Sequence, residues 1–306
     1  MKTKDYQPSL FPELDEIPKK QSVVNVASVP QRSPFRYPGG KTWLVPTARK
    51  WFSSASKNAE LIEPFAGGGI ISLTAAAEDY FSHVTMSELD EDVASVWQTI
   101  FSETDCDWLT ERILSFTVSP ENITDAEYHA DEGTKERAFS TIVRNRTNHG
   151  GILAKGSGRI KTGEAGKGLS SRWYPETLAR RISEANKLRD KIKFVNEDAF
   201  VLMKKRQNDS DAYFFIDPPY TVAGRRLYNL FEVDHRQIFE IVSKMQGHFL
   251  LTYDNTKEIR SLAAEFKLPC KTIPMQTTHL IKKEELIISD NFKWLEDDLQ
   301  SFSQAS

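Results

Sequence analysis

The sequence predicts an α/β protein built on one open, mostly parallel sheet, and three observations carry that expectation. Short apolar runs stop abruptly at carboxylates, notably Glu88 and Asp217. One such run, Glu60 to Glu63, passes through Gly67-Gly68-Gly69 straight into a helical stretch. Amphipathic helical patterns separate the runs, as crossovers between parallel strands require. In a sheet of this kind ligands gather at the carboxyl ends of the strands.

Taken in order, residues 1–34 mix Pro, Ser, Gln and both charge signs without a sustained period. A segment of that composition buries too little surface to order itself, so a disordered tail is expected. Phe35 to Thr42 opens the folded part. Gly39-Gly40-Lys41-Thr42 matches the end of a phosphate-binding loop, but Phe35 stands where that motif needs glycine and no strand precedes it. A nucleoside triphosphatase is therefore disfavoured. What remains is a bare backbone with one aromatic and one cation, suited either to lying across a ligand or to starting the helix at Trp43.

Glu60 to Ile71 is a strand, a glycine turn and a helix start. Glycine lets a ligand approach the backbone, and the free N–H groups of the next helix favour electron-rich ligand atoms. Position 72 is Ser, so the Gly-x-Gly-x-x-Gly spacing of dinucleotide sites is not met. His83 to Glu88 reads as a second strand whose terminal acid could accept from both hydroxyls of a ribose, or could simply be solvated.

Residues 90–144 are mostly helical, with Ala138, Phe139, Ile142 and Val143 marking one buried face. The period is lost at Arg144-Asn145-Arg146-Thr147-Asn148-His149. Seven glycines follow by Ser170, interleaved with Lys155, Arg159, Lys161 and Lys167. Residues 140–193 hold thirteen Lys/Arg against four Asp/Glu, an excess of nine in a chain whose net charge is −3. Such a loop, with Arg172, Trp173 and Tyr174, suits a surface that follows phosphates and presents side chains to base edges. A solvated insertion is the plainer alternative.

Pro175 to Lys191 is an amphipathic helix with Pro in its first turn. Lys193 to Asn196 is a strand, with Asp198 and Phe200 at its end as a polar acceptor and an aromatic edge. Tyr213-Phe214-Phe215-Ile216 reads as a strand covered on both faces. It stops at Asp217-Pro218-Pro219-Tyr220, where two prolines withhold backbone donors and leave nearby carbonyls free to accept from a ligand. A proline-rich turn with a solvated Asp would look similar. Thr221 to Phe231, with Arg225 and Arg226, is long enough to close over a substrate. Val233 to Met245 is a helix and His248 to Tyr253 a strand. Glu284 to Ser289 is a late strand open to antiparallel pairing, and the acidic end from Trp294 reads as a solvated tail.

With 306 residues the chain allows one large or two moderate domains, and 39% hydrophobic with 27% charged residues is ordinary for a soluble protein. No apolar run approaches a membrane span and no secretory signal opens the chain, so a cytoplasmic protein is expected. Cys106 and Cys270 lie far apart without a CxxC, so neither a metal site nor a disulfide framework is indicated.

Phe35 to Lys41, Glu63-Pro64-Phe65-Ala66-Gly67-Gly68-Gly69, Glu88, Asp198 and Asp217 to Tyr220 stand in the order of one family, and over roughly residues 33–290 the chain resembles the Dam-type (D12 class) DNA N6-adenine methyltransferases. The resemblance implies a Rossmann-like methyltransferase sheet at residues 35–100 and 192–292. A target-recognition region, mainly helix and loop, would be inserted at 101–191, with tails at 1–34 and 293–306. It implies S-adenosyl-L-methionine as cofactor, held by Tyr37, Lys41, Glu63, Phe65, Gly67, Gly69, Glu88, Asp198 and Asp217. Catalysis would fall to Asp217, Pro218, Pro219 and Tyr220. Double-stranded DNA, in a bacterial or phage context, would meet Arg144, Asn145, Arg146, Asn148, His149, Lys155, Arg159, Lys161 and Arg172. Glu88 and Tyr37 depart from the family, where Asp and Trp are more usual.

The residues at Asp217 to Tyr220 suit any exocyclic amine, so cytosine-N4 transfer, RNA methylation and an inactive DNA-binding regulator remain alternatives. Gln7-Pro8-Ser9-Leu10-Phe11 is similar to peptides that dock enzymes acting on DNA on a sliding clamp, a match short enough to arise by chance.

Overall fold

The computed structural model describes residues 28–37, 39–163, 166–220, 233–276 and 282–295. The clamp-like peptide at Gln7 to Phe11, Pro38 and the loop Thr221 to Phe231 lie outside them.

Seven strands form one sheet: β1 (Glu60–Glu63), β2 (His83–Ser87), β3 (Ile192–Val195), β4 (Ala212–Ile216), β5 (His248–Asp254), β6 (Cys270–Gln276) and β7 (Lys282–Ser289). Their order is β3-β2-β1-β4-β5-β7-β6. The first five are mutually parallel, and β7 runs antiparallel to both β5 and β6. The expected open, mostly parallel sheet is thus observed, and the late strand is an interior one. β6, which the sequence reading did not assign, lies at the edge.

Burial explains why β4 is central. All five of its residues are buried, with Tyr213 and Phe215 in the hydrophobic cluster on one face and Phe214 and Ile216 in that on the other. A fully buried aromatic side chain stabilises by roughly 1.5 to 3 kcal/mol, so the strand preceding Asp217 is anchored from both sides.

The helices are α1 (Val45–Phe52), α2 (Ile70–Ala77), α3 (Glu91–Phe101), α4 (Asp105–Ser115), α5 (Pro120–Tyr128), α6 (Thr134–Thr147), α7 (Pro175–Asn186), α8 (Ala199–Arg206), α9 (His235–Val242) and α10 (Lys257–Glu265). Side-chain caps start several of them: Asp90 accepts from Asp92 N–H at α3, Ser119 from Asn122 N–H at α5, and Asp234 from Gln237 N–H at α9. The connection from β2 to β3 carries α3 to α7. Here α6 packs on α3 and α4 on α7, and their apolar faces share one core with a face of the sheet.

Some described residues inside the expected tails are packed. Within 28–34, Val29 is 4% exposed, and Arg32 pairs with Glu78. At the C-terminal side Trp294 is 8% exposed, meets Phe292 at a tilt with centroids 5.9 Å apart and donates its indole N–H to Asn291 O at 2.9 Å. In each case apolar side chains inside a polar stretch find the core, which a composition average hides. No helix among the described residues is long and apolar enough to cross a membrane, and no His, Cys, Asp or Glu cluster among them could hold a metal ion.

Candidate active site

The strand order reverses between β1 and β4, and a cavity of about 530 Å³ opens there over the carboxyl ends of the strands. Tyr37, Lys41, Gly67, Glu88, Asp198 and Asp217 all line it.

The glycine turn forms one wall. Gly67 and Gly69 have φ of +46° and +63°, a region that penalises side chains. Space forbids them too: a Cβ on Gly67 would come within 2.7 Å of the Tyr37 ring, and one on Gly69 within 2.7 Å of Met86 and 2.8 Å of Trp97. Trp97 also donates its indole N–H to Gly67 O at 2.9 Å. The turn is gripped between an indole below and a phenol above.

Glu88 closes the next strand. Gly67 N–H donates to Oε2 at 2.9 Å, and Leu89 and Asp90 N–H donate to Oε1 at 2.9 and 3.0 Å. Burial pushes its carboxyl up to about 7 against those donors, and Oε2, with a single donor, keeps a second lone pair for a hydroxyl. Glu63 lies deeper, 3% exposed, accepting from Ser72 N–H at 3.0 Å. Burial pushes it up to about 8. Asp198 caps α8, with Oδ1 accepting from Phe200 and Val201 N–H at 2.9 and 3.1 Å. Phe200 meets Phe65 edge-on at 6.4 Å, and Leu89, 46% exposed, lines the same cavity.

Asp217 sits where β4 ends. Oδ1 accepts from Thr252 Oγ1 at 2.6 Å and lies 3.2 Å from the Tyr220 hydroxyl. Oδ2 pairs with Lys41 Nζ at 2.9 Å. Lys41, 4% exposed, also donates to Gly39 O at 3.0 Å and reaches Glu285 Oε1 at 3.4 Å. These two acids hold Lys41 above its ordinary range, although burial opposes them. Tyr220 also donates to Glu285, and burial drives its phenol well up. Among the described residues no hydrogen bond ends on the carbonyls of Pro218 or Pro219.

Lys41, expected to close over the cofactor, lines the cavity with its ammonium buried against Asp217. The Tyr220 ring, expected as a stacking face, carries that ammonium 4.9 Å from its centroid. Thr252, Glu285, Trp97 and Leu89 were not singled out from sequence. Glu285 had a signal, an acid at a buried register beside Leu286-Ile287-Ile288, but its relevance depends on β7 pairing next to β5.

The basic region differs more from expectation. Asn145 is fully buried: its Oδ1 accepts from Arg36 N–H at 2.9 Å, and its Nδ2 donates to Arg36 O at 3.1 Å and Gly151 O at 2.8 Å. Arg146 donates to Pro34 O from a buried position. Arg144 pairs with Asp92 at 2.6 Å. Arg159 pairs with Glu127 and Asn148, the latter 5% exposed. Asn145 therefore has no group left to read a base edge, and the other four hold the helices and loop together. His149, Lys155 and Lys161 are exposed, and Arg172 is half-buried.

A family model for D12 class N6 adenine-specific DNA methyltransferases matches residues 37–273. A search of curated proteins found no match. Among solved structures, the chain is similar to a SAM-dependent methyltransferase from Agrobacterium tumefaciens, with 11% identity and a TM-score of 0.40 over 82% of this chain and 62% of that one. A precorrin-6y C5,15-methyltransferase from Geobacter metallireducens gives 9% identity and 0.32, over 79% and 84%. An rRNA methylase from Streptococcus thermophilus gives 7% identity and 0.34, over 80% and 93%.

Proposed function

The chain belongs to the D12 class of N6 adenine-specific DNA methyltransferases, and from that premise we propose that it methylates the N6 amino group of an adenine drawn out of duplex DNA. S-adenosylmethionine is the cofactor expected of the family, and the cavity suits it. Its volume falls in the range of small-molecule sites, the Gly67–Gly69 cradle has no room for side chains, and Glu88 and Asp198 each keep acceptor capacity. Glu88 would take the ribose hydroxyls and Asp198 the adenine amino group, with Leu89 and Phe200 beside the ring. When bound, this cofactor supplies an electrophilic methyl group on a sulfonium.

The chain's own work is done on the acceptor amine. An adenine amino group is a poor nucleophile because its lone pair is delocalised into the ring. Accepting its two N–H groups outside the ring plane frees that pair. Asp217 Oδ2 has one lone pair left beside Lys41, and the Pro218 and Pro219 carbonyls supply neighbouring acceptors. The carboxylate also offsets the charge that grows on nitrogen, an effect typically worth 10²- to 10³-fold when one such group is removed. Thr252 and Lys41 fix its rotation, and alignment of amine and donor can supply roughly 7 to 11 kcal/mol. After transfer, the nitrogen sheds one proton towards this carboxylate.

The observation that supports the reading best is the clamping of Asp217 by Thr252 and Lys41 in the same cavity as the glycine turn. The test is tritiated methyl transfer to unmethylated duplex DNA followed by nucleoside analysis. Label is expected in N6-methyladenine; label in N4-methylcytosine, or transfer to RNA alone, would sink the proposal.

A further inference from the structure

Most arginines that this structure buries or half-buries are neutralised by acids. Arg32 and Arg49 share Glu78, Arg144 has Asp92, Arg159 has Glu127, and Arg206 has Glu60. Arg36, Arg146 and Arg181 are different, since no carboxylate among the described residues pairs with any of them. Arg146, 5% exposed, donates to Pro34 O, while its buried Nε has no hydrogen-bond partner. Arg181, on α7, donates to Ser33 O at 3.3 Å. Those carbonyls are consecutive, so the two guanidiniums are pinned side by side. Arg36 is placed next to them because Asn145, the residue before Arg146, grips its backbone from both sides.

Arg36 and Arg181 line the cavity together with Gly150. Burial first, and then repulsion from Arg181, Arg36 and Arg172, lowers the Arg146 guanidinium to about 9. Packing cations without a counter-charge is costly unless an anion joins them, and guanidinium forks match phosphate oxygens.

We propose that Arg36 and Arg181, backed by the buried charge of Arg146, form a seat for a backbone phosphate of the DNA strand whose base enters the cavity. The inference rests on the DNA reading above. A cofactor carboxylate is the other oxyanion within reach, but it arrives with its own ammonium and so brings no net charge to three unpaired cations. Lys155, Lys161, Lys167 and Arg180 of the same basic region are exposed as well, cations suited to a polyanion.

The experiment compares the full chain with Arg36→Gln and Arg181→Gln, leaving buried Arg146 intact and checking that melting temperatures match. Anisotropy of a labelled unmethylated duplex is read from low to moderate salt, and calorimetry gives S-adenosylhomocysteine affinity. Each variant is expected to weaken DNA binding roughly five- to tenfold and to reduce the magnitude of the log–log salt slope by about 0.9, with cofactor affinity kept. Weaker S-adenosylhomocysteine binding in either variant assigns the seat to a carboxylate and overturns the proposal. Unchanged DNA binding and slope also overturn it, leaving the cluster as structural. A wild-type protein without salt-sensitive DNA affinity would defeat the DNA reading itself, an outcome distinct from wild-type binding that the variants leave unaltered.

Discussion

The carboxyl edge of the sheet and the basic region between β2 and β3 are both rich in polar residues, but they use them in opposite ways. At the edge, Glu88, Asp198 and Asp217 take hydrogen bonds from their own loops and neighbours and still keep an acceptor for a ligand. In the basic region, Arg144, Asn145, Arg146, Asn148 and Arg159 are used internally. A strand end aims its last side chain at the ligand side, whereas the end of α6 and the glycine-rich loop after it are fastened to their surroundings by polar side chains. Residue type thus signals chemistry at a sheet edge and is ambiguous in a long loop.

The contrast makes quantitative predictions. The largest effect is expected at the edge: Asp217→Ala should lower the rate of methyl transfer about 10²- to 10³-fold. Unchanged turnover would remove Asp217 from the mechanism. Next comes Asn145→Ala, which strands three hydrogen-bonding partners, Gly151 O buried and Arg36 N–H and O part-buried, and should cost roughly 2 to 4 kcal/mol in urea denaturation. If stability were instead kept and only sequence preference changed, Asn145 would be a base reader and the contrast would fail.

A smaller effect concerns acidity. The Glu88 carboxyl, raised to about 7 by burial, is ionised above that pH and neutral below it. Ribose hydroxyls favour the ionised acceptor, so cofactor affinity should hold above pH 7 and fall up to tenfold per unit below it. In Glu88→Gln that slope should vanish in a calorimetric titration. The smallest effect is Lys161→Ala, expected to weaken DNA binding only a few-fold and reduce the salt slope by about 0.9 without touching stability. A fall in stability there would mean that the exposed part of the loop is fastened like the rest.

Much of the edge was legible in the chain itself. The buried run Tyr213 to Ile216, the glycines at 67 and 69 and the acid at 88 are local signals, since period, positive φ and strand length depend on neighbours in sequence. The apolar faces of α6 and α7 and the parallel order were readable for the same reason. Glu285 and Thr252 were not, because their relation to Asp217 follows from strand register. Ile216 pairs with Leu251, which sets Thr252 beside Asp217, and Asp254 pairs with Glu285.

The sequence by itself therefore determined the sheet, its carboxyl edge and most of the residues at that edge that line the cavity. Only the tertiary structure decided that Lys41 is held between Asp217 and Glu285, that Trp294 and Val29 belong to the core, and that Asn145 serves Arg36 across 109 positions of chain. Long-range hydrogen bonds and ion pairs choose partners by position in space, and no spacing along the chain encodes that choice.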